Sequence, residues 1–203
     1  MNRERRQNIK EIILEESIRL FLANSFRGTP VKDITDAAQI GKGTLYWYFK
    51  SKEEILKAII DRFEQEFLDG LIESVNSVQG GFIEKYKRYH KHVSAIPVKM
   101  RDLSLVFTTL SAELSGSGLE AEARIRSVYG RYHDFVKELL EEGKMEGKVK
   151  KGLDIDIATH VIIGFHDGIF LEWYRNYDKI DGRGLARTFR EIVLKGISEE
   201  GSL

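Results

Sequence analysis

Residues 31–49 read VKDITDAAQIGKGTLYWYF, and this stretch decides the fold. Ile34, Ala37 and Ala38 share the inward face of a short helix, with alanine where a second helix must cross closely. Ile40 and Leu45 bury the turn and that second helix. Braced by a helix before and a long one after, the pair has the helix-turn-helix arrangement, whose second helix enters the major groove of DNA. Lys42, Thr44, Tyr46, Trp47 and Tyr48 then need a role of their own. Successive helical residues point about 100° apart, so three aromatics in a row cannot all be buried, and exposed aromatics imply a partner. Leu45 and Phe49 are read as core. Trp47 has two readings: contact with DNA, or packing against the first helix.

Working outward, the same punctuation continues in both directions. A first helix covers about Arg3 to Asn24, with Ile9, Ile13, Leu20 and Phe21 on one face, and Gly28 ends the connection after it. Thr29-Pro30 opens the second helix, threonine as N-cap and proline at the first helical position, and the recognition helix spans about Lys42 to Tyr48. Ser51-Lys52-Glu53-Glu54 is a capping box, with Glu54 expected to reach back to the serine N–H. The long fourth helix that starts there places Ile55, Ile59, Phe63, Phe67, Leu71 and Val75 four residues apart and runs to Gly80-Gly81. Five more helices follow: about Phe82 to Ser94, ended by Pro97; on to about Leu114; Leu119 to Glu146; from an Asp154 cap to Asn176; and from Gly182 to about Glu199. The expectation is an all-α chain of about nine helices with no strand.

Three motifs together resemble the signature of the tetracycline-repressor (TetR) family: Ile34-Thr35-Asp36-Ala37-Ala38, then Ile40-Gly41-Lys42-Gly43-Thr44-Leu45-Tyr46-Trp47-Tyr48-Phe49, then Ser51-Lys52-Glu53-Glu54-Ile55-Leu56. The resemblance implies a three-helix DNA-binding domain at residues 1–50 and a helical ligand-binding and dimerisation domain at residues 51–203. It implies that Thr29 and Lys52 hold phosphates, that Tyr46 and Tyr48 contact backbone or bases, and that Lys42, Gly43 and Thr44 meet base edges, with Trp47 beside them. Two positions depart from the family pattern. Gln39 stands where the turn usually has glycine, at a conformation that costs a non-glycine residue roughly 1 kcal/mol. Gly41 replaces a serine or threonine cap.

The remainder of the chain implies pairing and ligand sensing. The eighth helix is apolar on more than one face, so a second copy is expected to cover one side, joined by a stripe of Leu185, Phe189, Ile192, Val193 and Ile197 on the ninth. Gly164 and Gly168, one turn apart, call for a close approach. Phe63, Phe67, Phe82, Tyr86, Phe107, Leu110, Phe165 and Trp173 are expected to line an apolar interior, with His133 and His166 to orient a largely apolar or aromatic effector. For both histidines the alternative is a hydrogen-bonded interior or interface residue. The implied protein is a ligand-responsive regulator, a repressor released by its effector from a near-palindromic duplex operator. A DNA-binding or architectural factor without an effector is the second reading, although helices five to seven exceed what that needs. An enzyme built on His166, Asp167, Glu113 and His133 is the third: there is no phosphate-cradling glycine loop, no metal-ligand spacing, and no nucleophile with a recognisable partner, so no catalytic residue, metal or cofactor is expected.

Composition agrees with this and narrows it. The 203 residues are 42% apolar and carry no net charge, yet residues 1–57 hold eleven Lys or Arg against eight Asp or Glu, a mildly basic head on a mildly acidic body. No cysteine occurs, which removes disulfides and thiolate metal sites and suits a reducing cytoplasm. No apolar run follows Met-Asn-Arg-Glu-Arg-Arg as a signal peptide requires, and none is long enough for a membrane span.

Overall fold

A computed structural model describes residues 3–199. Residues 1–2 and 200–203, which the domain limits and the reading of the N-terminus include, lie outside the described residues. Among the described residues nine helical stretches follow one another: α1 Arg3–Asn24, α2 Val31–Ala37, α3 Lys42–Tyr48, α4 from Lys52–Phe63 through a π-helical turn at Glu64–Asp69 into Gly70–Asn76, α5 Phe82–Lys99, α6 Arg101–Glu113, α7 Glu120–Met145, α8 Ile155–Arg175 and α9 Gly182–Ile197. Among the described residues the sole β pairing is a single bridge between Val149 and Ser198. The chain packs as two units, Met1–Glu66 with Met100–Ser127, and Phe67–Lys99 with Val128–Leu203.

In the first unit α1 packs on α2, α4 and α6, and α2 on α3. Ile13, Ile34, Leu45, Ile55 and Ile59 are fully buried at the centre. All six apolar positions of α4 are buried. Their spacing of four exceeds the 3.6 residues of an α-helical turn, so in a regular helix the stripe would drift about 40° per step. The π-helical turn takes more residues per turn and returns the later positions toward the packed side.

Several helix ends differ from expectation. Pro30, not Thr29, stands at the N-cap position of α2 and makes no side-chain cap bond. Ser51 caps α4 by accepting from Glu54 N at 3.2 Å, but the Glu54 carboxylate accepts from Lys50 N at 2.6 Å, one residue before the serine. Helix α5 passes Pro97 and ends at Lys99, where Met100 leaves helical geometry at φ −134°. Proline removes one N–H donor while keeping a helical φ, and so close to a helix end little is forfeited. Asp154 caps α8 as expected, accepting from Ile157 N at 3.1 Å.

The second unit contains the rest of α4, α5, most of α7, and α8 and α9. Phe82, Tyr86, Tyr89, Val136 and Leu140 are fully buried in it. On α8, Ala158, Thr159, Ile162 and Ile163 face inward, while Ile157, Val161 and Phe165, spaced four apart, are exposed.

Candidate functional site

The turn between α2 and α3 is tight because Gln39 takes a positive φ of 53°, as its place in the glycine position of the turn required. Ile40 N returns to Thr35 O at 3.0 Å. Helix α3 begins at Gly41, which offers no capping oxygen, so the Gly41 carbonyl alone organises the first turn by accepting from Thr44 N at 2.9 Å. Leu45 is 0% exposed and Phe49 4%, and these two anchor the helix from beneath. Lys42 and Gly43 are exposed, Thr44 is half-buried, and a side chain at Gly43 would meet no atom within 4 Å. Tyr46 is 38% exposed with the Lys42 ammonium 5.8 Å from its ring centre, and Trp47 is 55% exposed with the Arg6 guanidinium at 5.0 Å. Trp47 thus touches α1 through Arg6 and still leaves about half of its surface exposed.

Three of the residues expected to touch DNA are placed differently. Thr29 is fully buried, its hydroxyl donating to Ser25 O at 2.7 Å and Leu20 O at 3.3 Å, so it presents nothing to a phosphate. The Lys52 ammonium donates to Phe26 O at 2.7 Å and Thr29 O at 2.8 Å and lies 4.4 Å from the Phe26 ring centre. Burial holds Lys52 below the ordinary lysine range. Tyr48 is half-buried, its ring edge-on to Trp47 at 4.7 Å and its hydroxyl shut off from solvent.

The grip on the loop before α2 is completed by a residue that the sequence offered only as a candidate acid. Glu113, at the end of α6, accepts from Phe26 N at 3.1 Å and Arg27 N at 3.0 Å. One carboxylate takes the N–H groups of the loop and one ammonium its carbonyls. Gly28 sits between, where a Cβ would come within 2.1 Å of Asn24 O. The sequence signal for a constrained loop was Gly28 alone; no periodicity could have named Glu113.

Of the residues expected to meet an effector, Phe63, Phe107 and Leu110 lie in the first unit, with the two phenyl rings stacked at 3.9 Å. Phe67, Phe82, Tyr86, His133, Phe165, His166 and Trp173 lie in the second. There Phe82 and Tyr86 are neighbours at 5.5 Å, and Phe67 meets Tyr132 edge-on at 5.4 Å. His133 instead pairs with His160 at 4.4 Å, and Phe165 is 51% exposed. The two sets belong to different units, so the ten residues do not form one lining within either.

Around His166, read as an effector ligand or a hydrogen-bonded interior residue, the second unit's interior holds a polar cluster whose tyrosines the sequence did not assign to it. The Tyr89 and Tyr132 hydroxyls are 2.8 Å apart, and His166 Nδ1 lies 3.1 Å from the first and 3.4 Å from the second. Asp167 accepts from the Tyr129 hydroxyl at 3.2 Å and is pushed up to about 6 by burial.

The exposed apolar face of the second unit comprises Ile157, Val161 and Phe165 of α8 and Ile192 of α9. Gly164 and Gly168, which called for a close approach, have nothing within 4 Å of a would-be Cβ, so no such approach is made among the described residues. Phe189, Val193 and Ile197, expected on this stripe, are buried in their own unit at 6% exposure each.

With this geometry in view, comparison with known proteins is specific. The profile of bacterial regulatory proteins of the tetR family matches residues 13–59, and that of the YsiA-like protein C-terminal region matches residues 55–196. The chain is 27% identical over 185 residues to the fatty acid metabolism regulator protein of Bacillus subtilis, covering 91% of this chain and 93% of the relative. Among solved structures, the MbdR regulator of Azoarcus sp. CIB superposes with a TM-score of 0.83 at 26% identity, covering 93% of this chain and 98% of that one. The transcriptional regulator FadR of Bacillus subtilis, solved in complex with stearoyl-CoA, gives 0.77 at 26% identity over 92% and 98%.

Proposed function

The chain belongs to the TetR family of bacterial regulators, and from that premise we propose that it is a repressor which a long-chain acyl thioester releases from its operator. It is a ligand-responsive, DNA-binding transcription regulator that works as a homodimer. The observation that carries the reading is α3 itself: seven residues, anchored by Leu45, that hold Lys42, Gly43, Tyr46 and Trp47 outward. Residues 1–50 are assigned the operator and residues 51–203 the effector and the second copy.

Lys42, Gly43 and Thr44 read base edges and Tyr46 and Trp47 lie along the backbone, since the front of a recognition helix reaches furthest into the groove. Thr29 and Lys52 act through the loop that aims α2. Pairing runs through α8 and α9, because an apolar stripe of this kind has no role on an isolated chain. An acyl thioester is favoured by the aromatic interior of the second unit and by the stearoyl-CoA held in the similar FadR structure. The effector must bind the DNA-incompetent arrangement more tightly, since equal affinity shifts nothing.

The protein acts without catalysis of its own, in the cytoplasm. Glu113 is committed to backbone N–H groups, and no helix among the described residues is long and apolar enough to cross a membrane. The test is a binding screen of genomic fragments followed by addition of acyl-CoA esters. A preferred near-palindromic site from which an acyl-CoA displaces the protein is expected. Absence of any preferred site at every salt concentration would refute the regulator, and displacement only by hydrophilic metabolites would refute the effector class.

A further inference from the structure

Six side-chain polar atoms of the second unit are shut off from solvent and find no partner among the described residues, three of them Tyr86 Oη, His90 Nε2 and His166 Nε2. Tyr86 is 0% exposed and His90 2%, and His166 turns its ring inward although part of the residue reaches the surface. Their rings are neighbours, with centroids 6.5 Å apart for Tyr86 and His90 and 5.8 Å for His90 and His166. Phe189 closes over both imidazoles at 5.1 and 5.0 Å. A buried polar group without a partner destabilises a fold, so three in one place ask for a use.

The partnered nitrogens determine what the free ones offer. Between them the Tyr89 and Tyr132 hydroxyls have two protons: one makes the link between the tyrosines, and the other goes to His166 Nδ1. Nδ1 is then an acceptor, and the neutral ring carries its own proton on Nε2. Ser94 Oγ lies 3.1 Å from His90 Nδ1 and can donate there, and in that arrangement the His90 proton is on Nε2. Tyr86 adds an O–H. Burial pushes His166 down to about 3 and His90 to about 4, the latter helped by the charge of Arg190, so both rings donate without being cations.

We propose that Tyr86, His90 and His166 form the polar recognition point of the effector, donating hydrogen bonds to an uncharged acyl carbonyl. This rests on the effector reading above and adds to it the atom that is recognised. Neutral donors satisfy a thioester carbonyl, whereas a carboxylate taken from water into the same surroundings loses more hydration than neutral donors return. Asp167, the next residue on α8, adds a carboxyl group that disfavours an anion further, while Arg190 favours one, so the free acid is the discriminating probe.

The full-length dimer is titrated with a long-chain acyl-CoA, with its thioether analogue in which a methylene replaces the carbonyl, and with the free fatty acid. Thermal shift and operator release are read for each. The acyl-CoA is expected to bind about tenfold or more tightly than the thioether, because a site built to donate rejects an analogue that cannot accept. Tyr86→Phe should narrow that gap about fivefold and raise the melting temperature of the ligand-free protein, since the deleted hydroxyl has no bond to lose. His166→Phe should narrow the gap too. Equal affinity of wild type for carbonyl and methylene probes overturns the assignment and leaves the acyl-thioester reading standing. Tighter binding of the free acid overturns the neutral carbonyl, and a Tyr86→Phe protein with a lower melting temperature and an unchanged gap overturns the role of that hydroxyl. No binding of any probe overturns this assignment and the effector reading together.

Discussion

Replacing Lys52 by methionine separates two roles that one lysine can play at the edge of a DNA-binding head. The methionine keeps the aliphatic length and removes the ammonium, hence the two bonds to Phe26 O and Thr29 O and the contact with the Phe26 ring. Hydrogen bonds from a charged donor contribute about 1.5–3 kcal/mol each, less where water competes. Lys52 is half-buried, so the pair together stabilises by about 2 kcal/mol. For a chain of this size that lowers the melting temperature by about 4–8 °C. Operator affinity falls as well, because the loop gripped by Lys52 and Glu113 leads into α2. The slope of log affinity against log salt does not change, since no phosphate contact is removed. A lysine holding phosphate predicts the reverse: an unchanged melting temperature and a slope shallower by about 0.9 for each subunit. Differential scanning fluorimetry and anisotropy titrations at four salt concentrations distinguish the two, and a shallower slope at constant stability refutes the loop-grip argument.

The other predictions concern pairing, acid stability and the turn. Ile192→Glu places a carboxylate on the exposed stripe and should yield folded monomers by analytical ultracentrifugation, whereas Phe189→Glu buries one beside His90 and His166 and should unfold the second unit. Glu122 is held down at about 2 by its bond from Arg126 and by the N–H groups of Gly116 and Gly118. A depressed carboxylate stabilises fully above its ordinary 4.5 and less as pH falls toward 2, so the melting-temperature gap between wild type and Glu122→Gln should shrink across that window and persist at pH 7. Gln39→Gly relieves the positive φ and should add about 0.5–1 kcal/mol in urea denaturation without changing operator affinity; a loss of stability would mean that the Gln39 side chain serves the turn.

The helical fold could be read closely because its signals are local. Periodic apolar positions and Gly or Pro breaks each act within a few residues, and even the π-helical turn of α4 is foreshadowed by a stripe that repeats every four residues from Ile55 to Val75. The face of α3 was equally legible, since consecutive aromatics on a short helix must diverge. The placements of Thr29 and Lys52, which the sequence did not anticipate, have a common cause. Whether a hydroxyl or an ammonium points at solvent or at a carbonyl depends on where a loop's backbone lies, and the loop in question is held by Glu113, far away in sequence.

The effector residues show the same limit from the other side. Helical periodicity says that Phe63, Phe107 and Tyr86 face inward, which they do, but it carries no information on what they face. Phe63 and Phe107 stack on each other in one unit, whereas Tyr86 joins His90 and His166 in the other. Two residues apart on α5, His90 and His92 point to different faces and make no metal pair, but for hydrogen bonding one inward imidazole suffices. A polar residue in an apolar stripe is the part of such a pattern that packing alone does not explain. In α5 and α8 those residues are His90 and His166, and they meet.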